Sequence, residues 1–241
     1  MKENKIWNDY LPEDMQEHWT VYECLKESED SSTFLVKETA TGILCVLKWG
    51  RNRQAEFLRN EMEIMEKMAD RKLSGIPKTY RIFEENGEVY LVREYIEGMS
   101  LAQMVLQKGG ISEAEICRIS RKICQTAEQF QNPDEPMIHR DIKPENIVVT
   151  PGGEVVFIDF GTMRSYKKDG SRDTFVVGTR GTAAPEQYGY TQTDQRTDVY
   201  AIGQTMLYMV SESYEMNQLS ECAVSRRMKK IIEKACSFEP D

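Results

Sequence analysis

Three stretches of the chain place ionisable and amide side chains where they could do chemistry. In His139-Arg140-Asp141-Ile142-Lys143-Pro144-Glu145-Asn146, an acid, a base and an amide share one short loop. A carboxylate such as Asp141 can accept the proton of a hydroxyl group, and Lys143 can neutralise a phosphoryl oxygen. Asn146 comes just before one short apolar strand (147–150) and Asp159 just after a second (154–158), with Pro151-Gly152-Gly153 between them. Antiparallel pairing of these strands would bring Asn146 and Asp159 together. Two such oxygen donors suit Mg²⁺, which takes one or two protein oxygens and completes its shell with water and substrate phosphates.

The third stretch is a predicted helix over residues 53–69. Glu61 has apolar neighbours one turn away on both sides, Phe57 and Leu58 before it, Ile64 and Met65 after it. It must therefore face inward, where a carboxylate is costly unless paired. Lys48 is the candidate partner, because it ends an apolar strand containing Leu44 and Val46. Glu63 and Glu66, with mostly polar neighbours, face water.

The elements that must position these groups fall into two regions. From Val21 to Trp49 the pattern reads as strands, with 33–37 and 43–49 flanking a turn at Ala40-Thr41-Gly42. Residues 78–84 and 89–95 form a hairpin around Asn86-Gly87, a strong two-residue turn signal. After residue 96 the character becomes helical. Residues 101–107 are one helix, and Ser112 opens a longer one with Glu115 as the second half of a capping box. Ile116, Ile119, Ile123 and Ala127 form its buried stripe, and further helices are expected at 197–210 and 225–236. Residues 1–19 are polar with Trp7, Tyr10, Leu11 and Trp19 interspersed, which leaves a docked extension and a frayed terminus both open.

Bulk properties narrow the function class. A chain of 241 residues can hold one large domain or two closely packed lobes. A formal net charge of −9 gives no basic footprint for nucleic acid. The six cysteines show no Cys-x-x-Cys pair, and the chain has only two histidines, so a structural zinc site is not expected. Cys117 and Cys124, seven residues apart on a predicted helix, read as core positions. Without a recognisable signal peptide, the thiols are expected to be reduced and the protein cytoplasmic. No apolar run reaches the roughly 18 residues of a membrane span.

Taken together, Val46-Leu47-Lys48, the inward Glu61, His139-Arg140-Asp141 with Asn146, Asp159-Phe160-Gly161 and Ala184-Pro185-Glu186 resemble the protein kinase signature set, in order and at kinase-like separations. The resemblance runs from about Val21 to the last residue. It implies an α+β bilobal fold, with an extension over 1–20, a small, mainly antiparallel β N-lobe with one helix over 21–95 and a larger, mainly helical C-lobe over 96–241. It also implies ATP and Mg²⁺, with roles that follow the phosphoryl-transfer template of that family. Lys48 would hold the α- and β-phosphates and pair with Glu61. Asp141 would orient the acceptor hydroxyl and take its proton, and Lys143 would stabilise the phosphoryl group in flight. Asn146 and Asp159 would hold Mg²⁺. Val46 and Val148 would sandwich the adenine, and the backbone of Glu94, Tyr95 and Ile96 would bond its edge. Asp198 resembles the buried aspartate that holds the catalytic loop. Lys143, together with Thr179, matches the serine/threonine class, so protein substrates with Ser or Thr acceptors are implied. In similar kinases the arginine matching Arg140 meets a phosphate on the segment 159–186, and Thr174 is the expected autophosphorylation site.

The pattern is not complete. Lys26, Ser28 and Ser31 stand where the phosphate loop of similar kinases has glycines, and Glu27-Ser28-Glu29-Asp30 is acidic. Side chains hinder close approach of the backbone to phosphate. The Ser28 and Ser31 hydroxyls, or Lys26, are candidates to compensate. Arg93 takes a usually apolar position and needs a partner; either it draws Glu61 from Lys48 or it snorkels along the pocket. The chain ends at Phe238-Glu239-Pro240-Asp241, before the segment that in similar kinases buries an arginine against the glutamate matching Glu186, so the final helix is expected to be truncated. The compact layout resembles bacterial kinases. A pseudokinase scaffold with weak nucleotide binding remains the alternative. A small-molecule phosphotransferase fits less well, because Arg140 and Ala184-Pro185-Glu186 are present.

Overall fold

The computed structural model describes residues 11–71, 73–131, 136–166, 178–188 and 193–237. They form two compact units, one of residues 1–70 and 77–96, the other of residues 71–76 and 97–241.

The first unit is a sheet with helices on its two faces. A short helix α1 (Glu13–Gln16) leads into β1 (Trp19–Glu27), β2 (Ser31–Glu38) and β3 (Leu44–Gly50). Helix α2 (Arg53–Met68) precedes β4 (Thr79–Glu85) and β5 (Glu88–Glu94). The strand order is β1-β2-β3-β5-β4, and every pair is antiparallel. Alternation along β3 sends Cys45 and Leu47 to one face, where they pack with Phe34, Val36, Tyr90 and Val92. Leu11, Met15 and Trp19 complete that cluster, so residues 11–19 are docked rather than frayed. The other face takes α2, whose Ala55 and Leu58 pack on Val89 and Leu91. Lys48 lies opposite Leu91 in the β3–β5 register, which puts it on the face that α2 covers. The β4–β5 turn needs left-handed backbone at both central residues, met by Asn86 (φ 51°) and Gly87 (φ 84°).

The second unit is mainly helical. It contains β6 (Met99–Ser100), α3 (Leu101–Lys108), α4 (Glu113–Glu128), β7 (Met137–Ile138), β8 (Ile147–Val149), β9 (Val155–Phe157), β10 (Arg164–Ser165), α5 (Gln195–Ser211) and α6 (Arg226–Ala235). Strands β6, β8 and β9 form one small sheet, and β7 pairs with β10. The β6–β8 pairing depends on Gly98, where a Cβ would lie 2.5 Å from the Val149 carbonyl oxygen. Helix α5 is buried nearly all round. Gly203 lets α6 approach, since a Cβ there would meet Ala235 Cβ and Cys236 Sγ, each at 2.7 Å. Glu113, in the first turn of α4, accepts from both the backbone N–H (2.7 Å) and the hydroxyl (2.6 Å) of Ser225, the residue that caps α6.

Two sequence expectations are corrected here. The Ser112 hydroxyl does accept from the Glu115 N–H (3.3 Å), but the Glu115 carboxylate takes Lys108 Nζ (2.9 Å) instead of closing a capping box. The reciprocal box lies at α3, between Ser100 and Gln103. Cys117 and Cys124 are exposed, not core. Their heptad spacing puts them on one face, but each sits one residue past the buried Ile116 and Ile123, which turns them toward solvent. Among the described residues, no helix is long and apolar enough to cross a membrane.

Candidate active site

In the first unit, Lys48 Nζ donates to Glu61 Oε2 at 2.7 Å. The residues are 9% and 1% exposed, so each charge compensates the other in a setting where either alone would be costly. Strand alternation and the apolar neighbours of Glu61 produce this pair, as the sequence implied. Arg93 is buried opposite Val46 and donates from Nη1 to the Glu94 carbonyl (3.4 Å). Glu61 is bonded to Lys48, so the arrangement in which Arg93 draws it away is not the one observed. Glu94, Tyr95 and Ile96 end this unit half-buried, and Lys78 exchanges backbone and side-chain bonds with Glu94. Val46 is buried on the same side of β3 as Lys48. At the β1–β2 turn the Ser28 and Ser31 hydroxyls bond each other at 2.8 Å, and Ser28 Oγ also donates to the Ser31 carbonyl (2.9 Å).

In the second unit, Asp141, Lys143, Asn146 and Thr179 form one bonded group. Asp141 Oδ1 accepts from the Thr179 hydroxyl (2.7 Å), which in turn accepts from Lys143 Nζ (2.6 Å). Asp141 Oδ2 takes both Lys143 Nζ (2.8 Å) and Asn146 Nδ2 (2.8 Å). The contact expected of Thr179 is present. With its NH₂ half bonded to Asp141, Asn146 keeps its amide oxygen as an acceptor. The Asn146 carbonyl accepts from the Ile158 N–H (2.9 Å), which ties together the two ends of the β8–β9 hairpin. Asp159, next in the chain, accepts from the Gly161 N–H through Oδ1 (3.3 Å). Val148 is buried on β8.

The backbone that carries Asp141 is strained and held. Arg140 has φ 66°, a left-handed conformation that costs a non-glycine residue roughly 1–2 kcal/mol. The peptide group before it is bonded at both its carbonyl and its N–H, and the one after it at its carbonyl. Asp198 on α5 accepts from the N–H of His139 (Oδ2, 2.9 Å) and of Arg140 (Oδ1, 2.9 Å). Thr162 Oγ1 donates to the His139 carbonyl (2.9 Å), and Gln187 Nε2 to the Arg140 carbonyl (2.7 Å). At a net of about 0.5–1.5 kcal/mol each, these four bonds outweigh the strain. Burial pushes the Asp198 carboxyl up to about 6 despite the two N–H donors. Burial likewise lowers His139 to about 4, its ring enclosed by Phe130, Phe157 and Phe160. Burial, with Arg164 nearby, brings Arg140 down to about 10, and its Nε donates to the Thr162 carbonyl (2.7 Å).

Three participants were not read from the sequence. Gln187, Thr162 and Thr197 are polar residues beside motifs, and nothing in their spacing marks them. Gln187 also accepts from the Ala184 N–H (2.9 Å), which fixes the segment after Thr179. Glu186 accepts from the Thr197 hydroxyl at 2.6 Å, so a hydroxyl on α5 meets the carboxylate for which the resemblance implied an arginine. Thr174 lies outside the described residues, as do Phe238 to Asp241.

The donor set fits a hard divalent cation. The Asn146 amide oxygen and the Asp159 carboxylate are oxygen ligands of the kind Mg²⁺ takes in small number. Asp141 carries a carboxylate able to accept a proton, and Lys143 an ammonium able to neutralise a phosphoryl oxygen.

Comparison with known proteins gives the family of the chain. The family model described as protein kinase domain matches residues 20–239. Serine/threonine-protein kinase D of Synechocystis is 29% identical over 204 residues, covering 77% of this chain and 39% of that protein. A probable serine/threonine-protein kinase of Clostridium perfringens is 35% identical over 147 residues, covering 61% and 21%. A probable serine/threonine-protein kinase PknB of Corynebacterium glutamicum is 29% identical over 160 residues, covering 65% and 24%. The chain thus spans well under half the length of these curated relatives.

Proposed function

Because this chain belongs to the protein kinase family, we propose that it moves the terminal phosphoryl group of ATP to a serine or threonine hydroxyl of a protein. The observation that carries the acceptor class is the Thr179 hydroxyl, bonded at once to Asp141 and Lys143. That arrangement holds the carboxylate that takes the acceptor proton beside the ammonium that meets the phosphoryl oxygens. Asp141 accepts the proton as the acceptor oxygen bonds phosphorus, and ADP leaves with the electron pair of the broken P–O bond. Lys48, kept in place by Glu61, holds the α- and β-phosphates. Val46, Val148 and the backbone at Glu94 to Ile96 receive the adenine. Asn146 and Asp159 would hold Mg²⁺, which supplies charge neutralisation at the phosphates. Thr174 is the proposed autophosphorylation site, with Arg140 as the cation that its phosphate would meet.

The test is transfer of radiolabel from ATP with Mg²⁺, to the chain itself and to a generic protein substrate, for wild type, Asp141→Asn and Lys48→Met. Label that disappears in both variants supports the proposal. The serine-lined β1–β2 turn favours a second reading, a scaffold with weak nucleotide binding. Absence of label in all three proteins would favour that reading. A fully active enzyme that leaves Thr174 unmodified on peptide mapping would remove the autophosphorylation site.

A further inference from the structure

The β1–β2 turn has no glycine between Lys26 and Ser32, yet it is not loose. The Ser28 N–H donates to the Ser31 carbonyl (2.8 Å), and the two serine hydroxyls close the turn. Asp30 reaches out of it to the β3–α2 junction. Its Oδ1 accepts from Arg51 Nε (2.8 Å) and from Asn52 Nδ2 (3.1 Å), and its carbonyl accepts from the Arg51 N–H (3.0 Å). Arg51 Nη2 donates to the Glu29 carbonyl (3.1 Å).

The receiving end is itself fixed. The Arg51 guanidinium lies 6.0 Å from the centre of the Trp49 ring, and Trp49 Nε1 donates to Glu88 on β5 (2.8 Å). Asn52 has φ 53° just ahead of α2. Gly50 is packed so closely that a Cβ there would meet Gln54 Cβ at 2.9 Å. The turn is thus tied to the residues that start the helix bearing Glu61.

We propose that Asp30, Arg51 and Asn52 form a latch that holds the serine-lined turn and the start of α2 as one body, and that this latch sets the affinity for nucleotide phosphate. This rests on reading the β1–β2 turn as the phosphate loop. A glycine-rich loop gains its contact by yielding; this turn gains it by being held in place beforehand, which removes the ordering cost of binding. Asp30 is a positioning residue here. Its charge is matched by Arg51, so it does not act on the nucleotide by repulsion. An exposed ion pair is weak alone, and the effect comes from four bonds converging on one turn.

The test uses the whole chain as wild type, Asp30→Ala and Asp30→Asn. MgATP affinity is measured by calorimetry, KM and kcat by steady-state transfer, and amide exchange without nucleotide. Asp30→Ala is expected to raise the Kd and KM for ATP about fivefold, near the upper end of what an exposed pair contributes, with kcat within about twofold. Asp30→Asn loses the same charge but keeps an acceptor for Arg51 and Asn52, and is expected to recover part of the loss. Exchange in Asp30→Ala should speed up both in the turn and in the first turn of α2. A lower KM in both variants would mean that the carboxylate only repels phosphate, and would overturn the proposal. Faster exchange with unchanged Kd would overturn it too, by showing a tie without a role in binding. Wild type that binds no MgATP would end the kinase reading along with it, whereas wild type that binds with Asp30→Ala unaltered ends this inference alone.

Discussion

Replacing His139 with phenylalanine should stabilise the second unit, and more so in acid. The imidazole sits 5.3 Å from the rings of Phe157 and Phe160 and 6.2 Å from that of Phe130, and among the described residues neither ring nitrogen has a hydrogen-bond partner. Its pKa is about 4, below the ordinary 6.5, because burial disfavours the charged ring. A depressed value means that its favourable contribution is complete above 6.5 and is lost as pH falls toward 4. At pH 7 the ring is mostly neutral in both folded and unfolded chains. At pH 5 the unfolded chain holds a proton there that the folded chain refuses, which costs about 2 kcal/mol. Asp198 works in the opposite sense. Its carboxyl, raised to about 6, takes a proton in the folded chain first and so gains stability on the way down from pH 6. That gain is common to wild type and His139→Phe and cancels in their difference. The variant should be more stable by about 1 kcal/mol at pH 7, from removing unpartnered polar atoms, and the gap should widen by about 2 kcal/mol at pH 5. Urea unfolding followed by far-UV circular dichroism measures it. A gap that stays the same at the two pH values would refute the reasoning, since the imidazole would then titrate alike in both states.

Other substitutions test other parts. Thr179→Ala should lower kcat about 10- to 100-fold in the transfer assay, by removing the hydroxyl that holds Asp141 Oδ1 and Lys143 Nζ in addition to their direct bond, while Thr179→Ser keeps the hydroxyl and most of the rate. Glu61→Ala breaks the buried pair with Lys48 and should cost about 3–5 kcal/mol in urea unfolding. Gly203→Ala improves intrinsic helix propensity by about 1 kcal/mol, but drives a methyl into Ala235 and Cys236; a net loss of about 1–3 kcal/mol is expected from thermal unfolding.

The elements with long periodic patterns were legible. The stripe of α4, the helix around Glu61 and the Asn86-Gly87 hairpin each repeat a signal over several residues, and the Lys48–Glu61 pair follows from two such patterns meeting. The two-residue strands β6, β7 and β10 carry no periodicity, because two residues cannot define one. Capping failed for a related reason. Ser112 and Glu115 have the right spacing for a box, but Lys108 lies close enough to take the carboxylate, and no local rule ranks those rivals. At the site, the charged residues of the motifs were readable one by one, while the neutral ones that hold them, Gln187, Thr162 and Thr197, owe their roles to contacts made far along the chain. The Asp30 tie was hidden in the same way, since an acidic turn read alone suggests repulsion and only the fold brings Arg51 to it.

The bond from Glu113 to Ser225 bears on the order in which the chain folds. Helix α6 has 10 residues, too few to persist in water by itself. Its cap is held by a carboxylate 112 positions earlier, and its packing face meets Gly203 of α5. The helix therefore becomes stable only after α4 and α5 have come together. Such long-range closure belongs to the late side of the folding barrier. During synthesis the same dependence would leave α6 waiting on a scaffold already made, so that mutations in it would speed unfolding far more than they slow folding.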